Sequence, residues 1–443
     1  MNGTVAEDTL FPAHLRYVMD AIGEALRELG IDAVVIASGS SRLAFLDDQA
    51  YPLRLNPWYR WPAPAPAAAD SFFVIRNNEL PHLVLVTPRD FWHAAPGLPD
   101  GAWVRHVRIT ACDDPGSAIR HLDALQGKVA WLGESAPPHA AWLVNPAPLL
   151  ARLEQYRCRK TAYELACMRR ASLSGARGHL AAEQAFRQGK AELDIHLAFL
   201  GASRQGEAGL PYDSIVALNE HAATLHYQLR DTVPPAQLHS LLVDAGAAHA
   251  GYASDITRTW AAAPGGFSGL VDGMEQLQQR LCASVKAGVD WRDLHLQAHH
   301  DIAALLRDAG VLRMDAVAAV DSGVSAAFMP HGLGHLLGLQ VHDVGGLHAA
   351  AESAAVPRPE GHPALRLTRK LEAGMVVTVE PGLYFIDSLL EQLQGGPYSA
   401  KVDWSLVREL RCCGGIRIED NVAVTAGGGE NLTRAAFAAL SDA

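Results

Sequence analysis

The feature that most constrains this chain is a set of carboxylates placed inside apolar, strand-forming runs. Leu241-Leu242-Val243-Asp244-Ala245-Gly246 carries one, and Ala253-Ser254-Asp255-Ile256-Thr257-Arg258 carries a second. Met375-Val376-Val377-Thr378-Val379-Glu380 runs into a third and stops at Pro381. Gly415-Ile416-Arg417-Ile418-Glu419 alternates, with Arg417 and Glu419 on one face and Ile416 and Ile418 on the other. Between the first two runs, His249 to Tyr252 offers a turn. A hairpin symmetric about residues 249 and 250 would set Asp244 directly opposite Asp255, with Cβ atoms roughly 4.5–5.5 Å apart on one face. Two carboxylates that close repel unless something positive lies between them, and a buried unpaired charge is costly.

A Gly/His loop supplies a nitrogen donor: Pro330-His331-Gly332-Leu333-Gly334-His335, continuing to Gly338, His342 and Asp343. Its glycines are spaced G-x-G-x-x-x-G and lack the strand–helix context of a dinucleotide loop. A pair of divalent cations, with His335 as the imidazole ligand, would neutralise the four carboxylates. Four oxygen-type ligands and one imidazole suit Mn²⁺ or a similar ion such as Co²⁺ better than structural zinc. Two such ions would activate a bridging water and polarise a substrate oxygen. A lone Asp in a strand or a lone His on an apolar face is an ordinary structural residue. The ordered set Asp–Asp–His–Glu–Glu is hard to explain that way.

The rest of the chain frames this set. The first third alternates helix and strand patterns: an amphipathic helix over Arg16–Leu29, then strands over 32–37, 72–75, 83–86 and 128–132. That is an α/β pattern. Tyr51 to Ala69 is too rich in proline for regular structure. It reads as an ordered surface loop whose Trp58, Tyr59 and Trp61 need something to pack against. It either joins a dimer contact or covers its own domain. Thr161-Ala162-Tyr163-Glu164 is a capping box opening a helix. Leu270, Met274, Leu277, Leu281 and Val285 form a helical stripe ending at Gly288 as a C-cap. A boundary near residues 155–160 divides the chain into domains 1–157 and 158–443.

Composition removes other functions. Lys and Arg number 37 against 48 Asp and Glu, a formal net charge of −11, which argues against nucleic acid or an anionic membrane surface as partner. The longest apolar runs fall far short of the ~18 residues of a membrane span, and the acidic, polar N-terminus does not read as a secretory signal. None of the six cysteines forms C-x-x-C, which fits free thiols in a reducing cytoplasm.

Together, Leu-Val-Asp244-Ala-Gly-Ala, Ser-Asp255-Ile-Thr-Arg-Thr, His331-Gly-Leu-Gly-His335, Glu380-Pro-Gly-Leu-Tyr and Gly-Ile-Arg417-Ile-Glu419-Asp resemble the pita-bread metallopeptidases. The resemblance is closest to the bacterial Xaa-Pro dipeptidases (prolidases) and the related organophosphorus acid anhydrolases. Phe45-Leu-Asp47-Asp48-Gln-Ala-Tyr-Pro, Asn56-Pro and Asp90-Phe-Trp92-His93 in the first third also resemble this group. The resemblance implies a small N-terminal α/β domain, a C-terminal pita-bread catalytic domain, and hydrolysis of Xaa-Pro dipeptides by a metal-bridging hydroxide, with a side activity on organophosphorus triesters. It implies a homodimer. Asp244 and Asp255 would ligate one metal, with Asp255 and Glu419 bridging; His335 and Glu380 would complete the other, and Glu380 would handle the proton of the water. His226 and His342 would contact substrate around the scissile carbonyl, and His331 would assist catalysis or support its loop. Arg417 would either take the carboxylate of the C-terminal proline or form an ion pair with a ligand carboxylate. Tyr212 would line the pocket, Trp291 and Leu365 would either line it or be plain core, and Asp48 would receive the free amine, often from a partner subunit. Leu336 stands where some relatives carry a second histidine. Trp291 is larger than the tyrosine expected there and would narrow the leaving-group pocket. Two other readings remain: an aminopeptidase P-like enzyme for longer Xaa-Pro peptides, and a metal-free pita-bread binding module.

Overall fold

A computed structural model describes residues 2–92 and 97–441, with side chains from residue 7 onward. The chain divides into two units. The first takes the chain up to Arg157 together with Thr161–Cys167 and Ala350–Ser353; the second holds Cys158–Lys160, Met168–Ala349 and the chain from Ala354.

The first unit is built on six strands: β1 (Ala33–Ala37), β2 (Phe72–Arg76), β3 (His82–Val86), β4 (Arg108–Cys112), β5 (Val129–Leu132) and β6 (Leu143–Val144). Their order is β4-β3-β2-β1-β5-β6. β1 pairs antiparallel with β2 and parallel with β5, so the sheet is mixed. β1 is buried along its whole length, as its unbroken Ala-Val-Val-Ile-Ala run requires of a central strand covered on both faces. The expected strands are present. The edge strands β4 and β6 were not anticipated, because their half-exposed residues carry a weak apolar signal. The helix begins earlier than expected and spans Asn2–Leu29.

The proline-rich segment is ordered, but its anchors point inward. Asn56 donates to the carbonyls of Ala37 and Leu132, at the ends of β1 and β5, and accepts from Trp58 N to cap the one-turn helix Pro57–Arg60. Trp58, Tyr59 and Trp61 are all buried, with the Arg157 guanidinium 4.2 Å over the Trp58 ring. These aromatics cover their own unit. The Thr161 capping box forms as read: Thr161 N donates to Glu164 Oε2 and Glu164 N to Thr161 Oγ1.

The second unit carries β7 (Ile215–Leu218), β8 (Ser240–Asp244), β9 (Ala248–His249), β10 (Tyr252–Ala253), β11 (Thr257–Ala261), β12 (Val376–Val379), β13 (Gly382–Tyr384), β14 (Gly415–Arg417), β15 (Asp420–Val424) and β16 (Gly429–Asn431). They form the sheets β11-β8-β7 and β12-β15-β16 and the pairs β13-β14 and β9-β10. A bridge between Thr257 and Glu419 links the strand carrying β11 to the segment joining β14 and β15. Helices Gly266–Ser284 and Trp291–Asp308 supply Leu270, Met274, Leu277, Leu281, Ile302 and Leu306 to one large core, which also takes Val377, Val379, Ile416 and Ile418. The helix bearing the Leu270 stripe ends at Ser284, with Val285 already extended, so Gly288 is not its cap. Gly288 instead turns the chain three residues later, at φ +89°.

Candidate active site

The two aspartates come from one hairpin, but not in the expected register. Ala250 (φ 52°) and Gly251 (φ 90°) form its two-residue turn, a pair of left-handed residues that suits the strand twist. The centre of symmetry therefore moves one position along. Asp244 pairs with Thr257, and His249 pairs with Tyr252. Asp255 is thus a diagonal neighbour of Asp244 rather than its direct partner. The slip is by two residues, so both side chains keep the same face. Asp255 runs past Gly246, where an added Cβ would stand 2.0 Å from the Ser254 carbonyl oxygen. Asn421 clamps the backbone of Asp255, accepting from its N–H at 3.0 Å and donating to its carbonyl.

The Gly/His loop runs beside β12 like an irregular antiparallel strand. Glu380 N donates to Leu333 O at 2.9 Å, Thr378 N to His335 O at 2.9 Å, and Leu337 N to Val376 O at 2.9 Å. His335 therefore lies opposite Thr378 and diagonal to Glu380. Gly334 permits this approach, since a Cβ there would stand 2.1 Å from the Thr378 carbonyl oxygen. The His335 Nδ1–H donates to Leu336 O at 3.0 Å, which aims Nε2 at the carboxylates. That Nε2 lies 3.4 Å from Glu380 Oε1 and 3.5 Å from Asp255 Oδ2.

Glu419, from the segment between β14 and β15, completes the group. One donor atom each from Asp255, His335 and Glu419 lie within 4.8 Å of one another. Thr257 Oγ1 donates to Glu419 Oε2 at 2.7 Å, and Thr378 Oγ1 donates to Glu380 Oε1 at 3.1 Å. The carboxylates are crowded in a buried place. Burial and the charges of Asp255 and Asp244 push Glu380 up to about 7, against the pull of His335 and Arg417. Burial, then Asp255, Glu380 and Asp244, raise Glu419 well above the usual range. Burial also raises Asp244, opposed by Arg417. Four carboxylates face one guanidinium and one imidazole, an arrangement that fits divalent cations and little else.

Arg417 sits beside this group. Its Nη2 donates to Asp244 Oδ2 at 2.7 Å and its Nη1 to the Tyr384 hydroxyl at 2.7 Å. Of the two roles considered for Arg417, the ion pair with a carboxylate of the candidate set, Asp244, is the one formed here. Tyr384 passes the contact on. His331 Nδ1–H donates to Gly332 O at 2.8 Å, so its Nε2 is the acceptor for the Tyr384 hydroxyl at 2.9 Å. Burial, then Arg417, lowers His331 to about 4 and keeps the ring neutral. Gly382 and Gly415 make room for Tyr384; a Cβ on Gly382 would stand 2.4 Å from its hydroxyl oxygen, and one on Gly415 2.5 Å from its ring. Sequence reasoning gave Tyr384 no role, because a tyrosine inside an apolar strand reads as core. Thr257, Thr378 and Asn421 were missed for the same reason.

The remaining candidates divide. Tyr212 donates to Asp244 Oδ1 at 2.8 Å, so it orients that carboxylate. The ring of His342 meets that of His335 edge to face at 4.3 Å, and burial, then His335, lowers His342 to about 4. Lys160 and Asp343 form a buried ion pair of 2.8 Å beside it, in space left by Gly338. His226 is exposed. Leu365 is buried and backs Gly332 of the loop. Of the two readings of Trp291, core is the one seen: it is wholly buried at the start of its helix and presents no surface to a pocket. A large aromatic at a helix start carries no local sign of which side it faces. Asp48 lies in the first unit, exposed in a turn closed by the Leu43–Ala50 bridge, and is not among the residues gathered here. His93, the end of the Asp90-Phe91-Trp92-His93 motif, lies outside the described residues.

Comparison with known proteins places the chain in a family. Residues 166–426 match metallopeptidase family M24, and residues 9–155 match the N-terminal domain of Xaa-Pro dipeptidase. The Xaa-Pro dipeptidase of Xanthomonas axonopodis pv. citri (strain 306) is 46% identical over 433 residues, covering 97% of this chain and 98% of that one. That of Stenotrophomonas maltophilia (strain R551-3) is 44% identical, covering 98% of each. Among solved structures, Escherichia coli aminopeptidase P in its low-pH form superposes with a TM-score of 0.71 at 23% identity, covering 98% of this chain and 99% of that one. Pseudomonas aeruginosa aminopeptidase PepP gives 0.70 at 22%, with the same coverage. The aminopeptidase likeness is one of fold. With both family matches and near-complete coverage at this identity, the chain belongs to metallopeptidase family M24, in the bacterial Xaa-Pro dipeptidase (prolidase) branch of the pita-bread proteins.

Proposed function

We propose that this chain hydrolyses dipeptides whose second residue is proline. The observation that carries this reading is the convergence of Asp255, His335 and Glu419 donor atoms within 4.8 Å, flanked by Asp244 and Glu380. Asp244, Asp255, His335, Glu380 and Glu419 would hold two Mn²⁺ ions, with Co²⁺ as an alternative. When bound, such ions supply Lewis acidity to the scissile carbonyl and lower the pKa of water.

The chain's own groups do the rest. Glu380 takes a proton from the attacking water and returns it to the prolyl nitrogen. His226 or His342 donates to the developing oxyanion. His331, held neutral between Gly332 O and the Tyr384 hydroxyl, orients Tyr384 and through it Arg417. Arg417 receives the proline carboxylate on its planar fork. Tyr212 and Leu365 shape the pocket around Asp244 and Gly332. Asp48 binds the free amine. With both termini held, binding becomes orientation and substrates are limited to dipeptides. Residues 1–157 serve as the N-terminal domain and 158–443 as the catalytic domain.

Asp48 acts across a homodimer in this reading. Supporting it, Phe45, Leu46, Phe91 and Trp92 of the first unit are 89%, 91%, 86% and 78% exposed, unusual for apolar side chains of this size. No helix among the described residues is long and apolar enough to cross a membrane, and no disulfide joins any of the six cysteines; we place the enzyme in the cytoplasm. Phosphotriester cleavage would be a side activity of the same centre, and no pocket restriction is assigned to Trp291. The test is a substrate panel on Mn²⁺-loaded protein. Ala-Pro should be cleaved and Ala-Pro-Ala spared. Cleavage of the tripeptide alone would favour the aminopeptidase reading, and fewer than one metal per chain after reloading would end the dinuclear one.

A further inference from the structure

A second cluster of metal-binding side chains lies outside the centre just described. His295 and His299 stand one turn apart on the helix Trp291–Asp308, so they share a face. His362 follows Gly361, whose left-handed conformation (φ 80°) turns the chain toward that face. The three ring centroids lie 4.7, 4.6 and 4.5 Å apart, and one nitrogen of each ring falls within 4.8 Å of the others. His295 and His299 are buried, and His362 is half-buried and open to entry.

The hydrogen bonds within this cluster are incomplete. His295 Nε2 and His362 Nδ1 are 2.9 Å apart, and His299 Nδ1 meets Ser325 Oγ at 3.1 Å. His295 Nδ1 and His299 Nε2 are buried with no partner. Buried imidazole nitrogens are normally satisfied, so two such atoms in one cluster call for an occupant. The Ser325 contact fixes the orientation of His299, as groups behind a ligand commonly do.

We propose that His295, His299 and His362 form a separate site for one borderline transition ion such as Zn²⁺, distinct from the carboxylate-rich centre. Three imidazoles without a carboxylate favour Zn²⁺, Ni²⁺ or Cu²⁺ over Mn²⁺ or Mg²⁺, whereas the other centre favours oxygen-seeking ions. Burial first, then the neighbouring histidines, holds His295 down to about 3 and His299 to about 2, so both rings are neutral as ligands must be. The ion would tie the turn at His362 to the helix. Three residues on, Leu365 backs Gly332 of the loop that delivers His335. The site is therefore a brace for that loop, and it does not depend on which peptide is cleaved.

The test adds Zn²⁺ to protein already saturated with Mn²⁺ and counts both metals after dialysis. The wild type should bind one more zinc per chain than His362→Gln, with equal manganese. Zinc should raise the Tm of the wild type and leave that of His362→Gln unmoved. Equal zinc in the two proteins would overturn the proposal. Should His362→Gln not fold, X-ray absorption at the zinc edge of the wild type, with less than one equivalent added, decides. Two or three imidazoles per zinc support the site, and one or none overturns it.

Discussion

Replacing Gly334 by alanine tests whether His335 is placed by close backbone approach. The new Cβ would stand 2.1 Å from the Thr378 carbonyl oxygen and 2.8 Å from Thr378 Oγ1. Real Cβ atoms are essentially never found closer than 3.0 Å to a neighbour, so loop and strand must part by about 0.9 Å. Both contacts are to a strand paired along its length with β15, so the loop is what moves. Two bonds bracket the site of strain, His335 N to Thr378 Oγ1 at 3.0 Å and Thr378 N to His335 O at 2.9 Å. Losing both costs about 1–3 kcal/mol, or roughly 2–4 °C in Tm for each kcal/mol in a domain of this size. A displacement of ~1 Å at a reacting centre costs on the order of 10²-fold in rate. Gly201 is the control: it lies within the helix Glu192–Ser203 and a Cβ there meets nothing within 4 Å. Gly201→Ala should be neutral or stabilising by about 0.5–1 kcal/mol. The assay is kcat and KM on Ala-Pro, with metal content and Tm measured on the same samples. Gly334→Ala with full metal, unchanged Tm and kcat/KM within about threefold of wild type would refute the argument.

Three further outcomes are expected. Glu380→Gln should lower kcat by roughly 10²–10⁴-fold, measured under single-turnover conditions with metal content checked. Tyr384→Phe should cost on the order of 2–4 kcal/mol, since it strips partners from Arg417 Nη1 and His331 Nε2, and should raise KM for dipeptides more than it lowers kcat. The third concerns pH. His179 is fully buried and burial, then Arg258, lowers it to about 3 from 6.5. Below pH 6.5 the unfolded chain takes up a proton that the folded chain refuses, so stability falls with pH until about pH 3. The slope is roughly 1.4 kcal/mol per pH unit for this group. Denaturant unfolding at pH 6.5 and 4.5 should therefore show a flatter acid limb in His179→Leu than in the wild type.

The parts of the fold legible in the sequence are those set by local chemistry. Alternating or unbroken apolar runs marked β1, β2, β3 and β5, and the Thr161–Glu164 spacing marked a helix start. The hairpin register was not legible. Ala250 adopts a left-handed conformation that alanine seldom takes, so nothing local pointed to the turn. The shared face of Asp244 and Asp255 survived because the error was an even number of residues. The gathering of Asp255, His335 and Glu419 was legible because a carboxylate in an apolar strand is conspicuous. Tyr384, Thr257 and Asn421 were not, since neutral polar residues in strands have ordinary structural uses. Whether a large side chain such as Trp291 lines a cavity or fills a core depends on packing between distant elements.

The backbone bonds that hold Asp255, His335 and Glu380 have a consequence for how the protein opens. The amides of Asp255, Thr378, Glu380 and Glu419 are each tied to a neighbouring segment. They are exposed only when those segments separate, so they belong to the slowest-exchanging part of the second unit. His226 and His342, exposed on turns, sit where small openings are frequent. In the proposed function, retention of the metals would be linked to global unfolding, and substrate access to local fluctuation. The two can respond separately to temperature and denaturant.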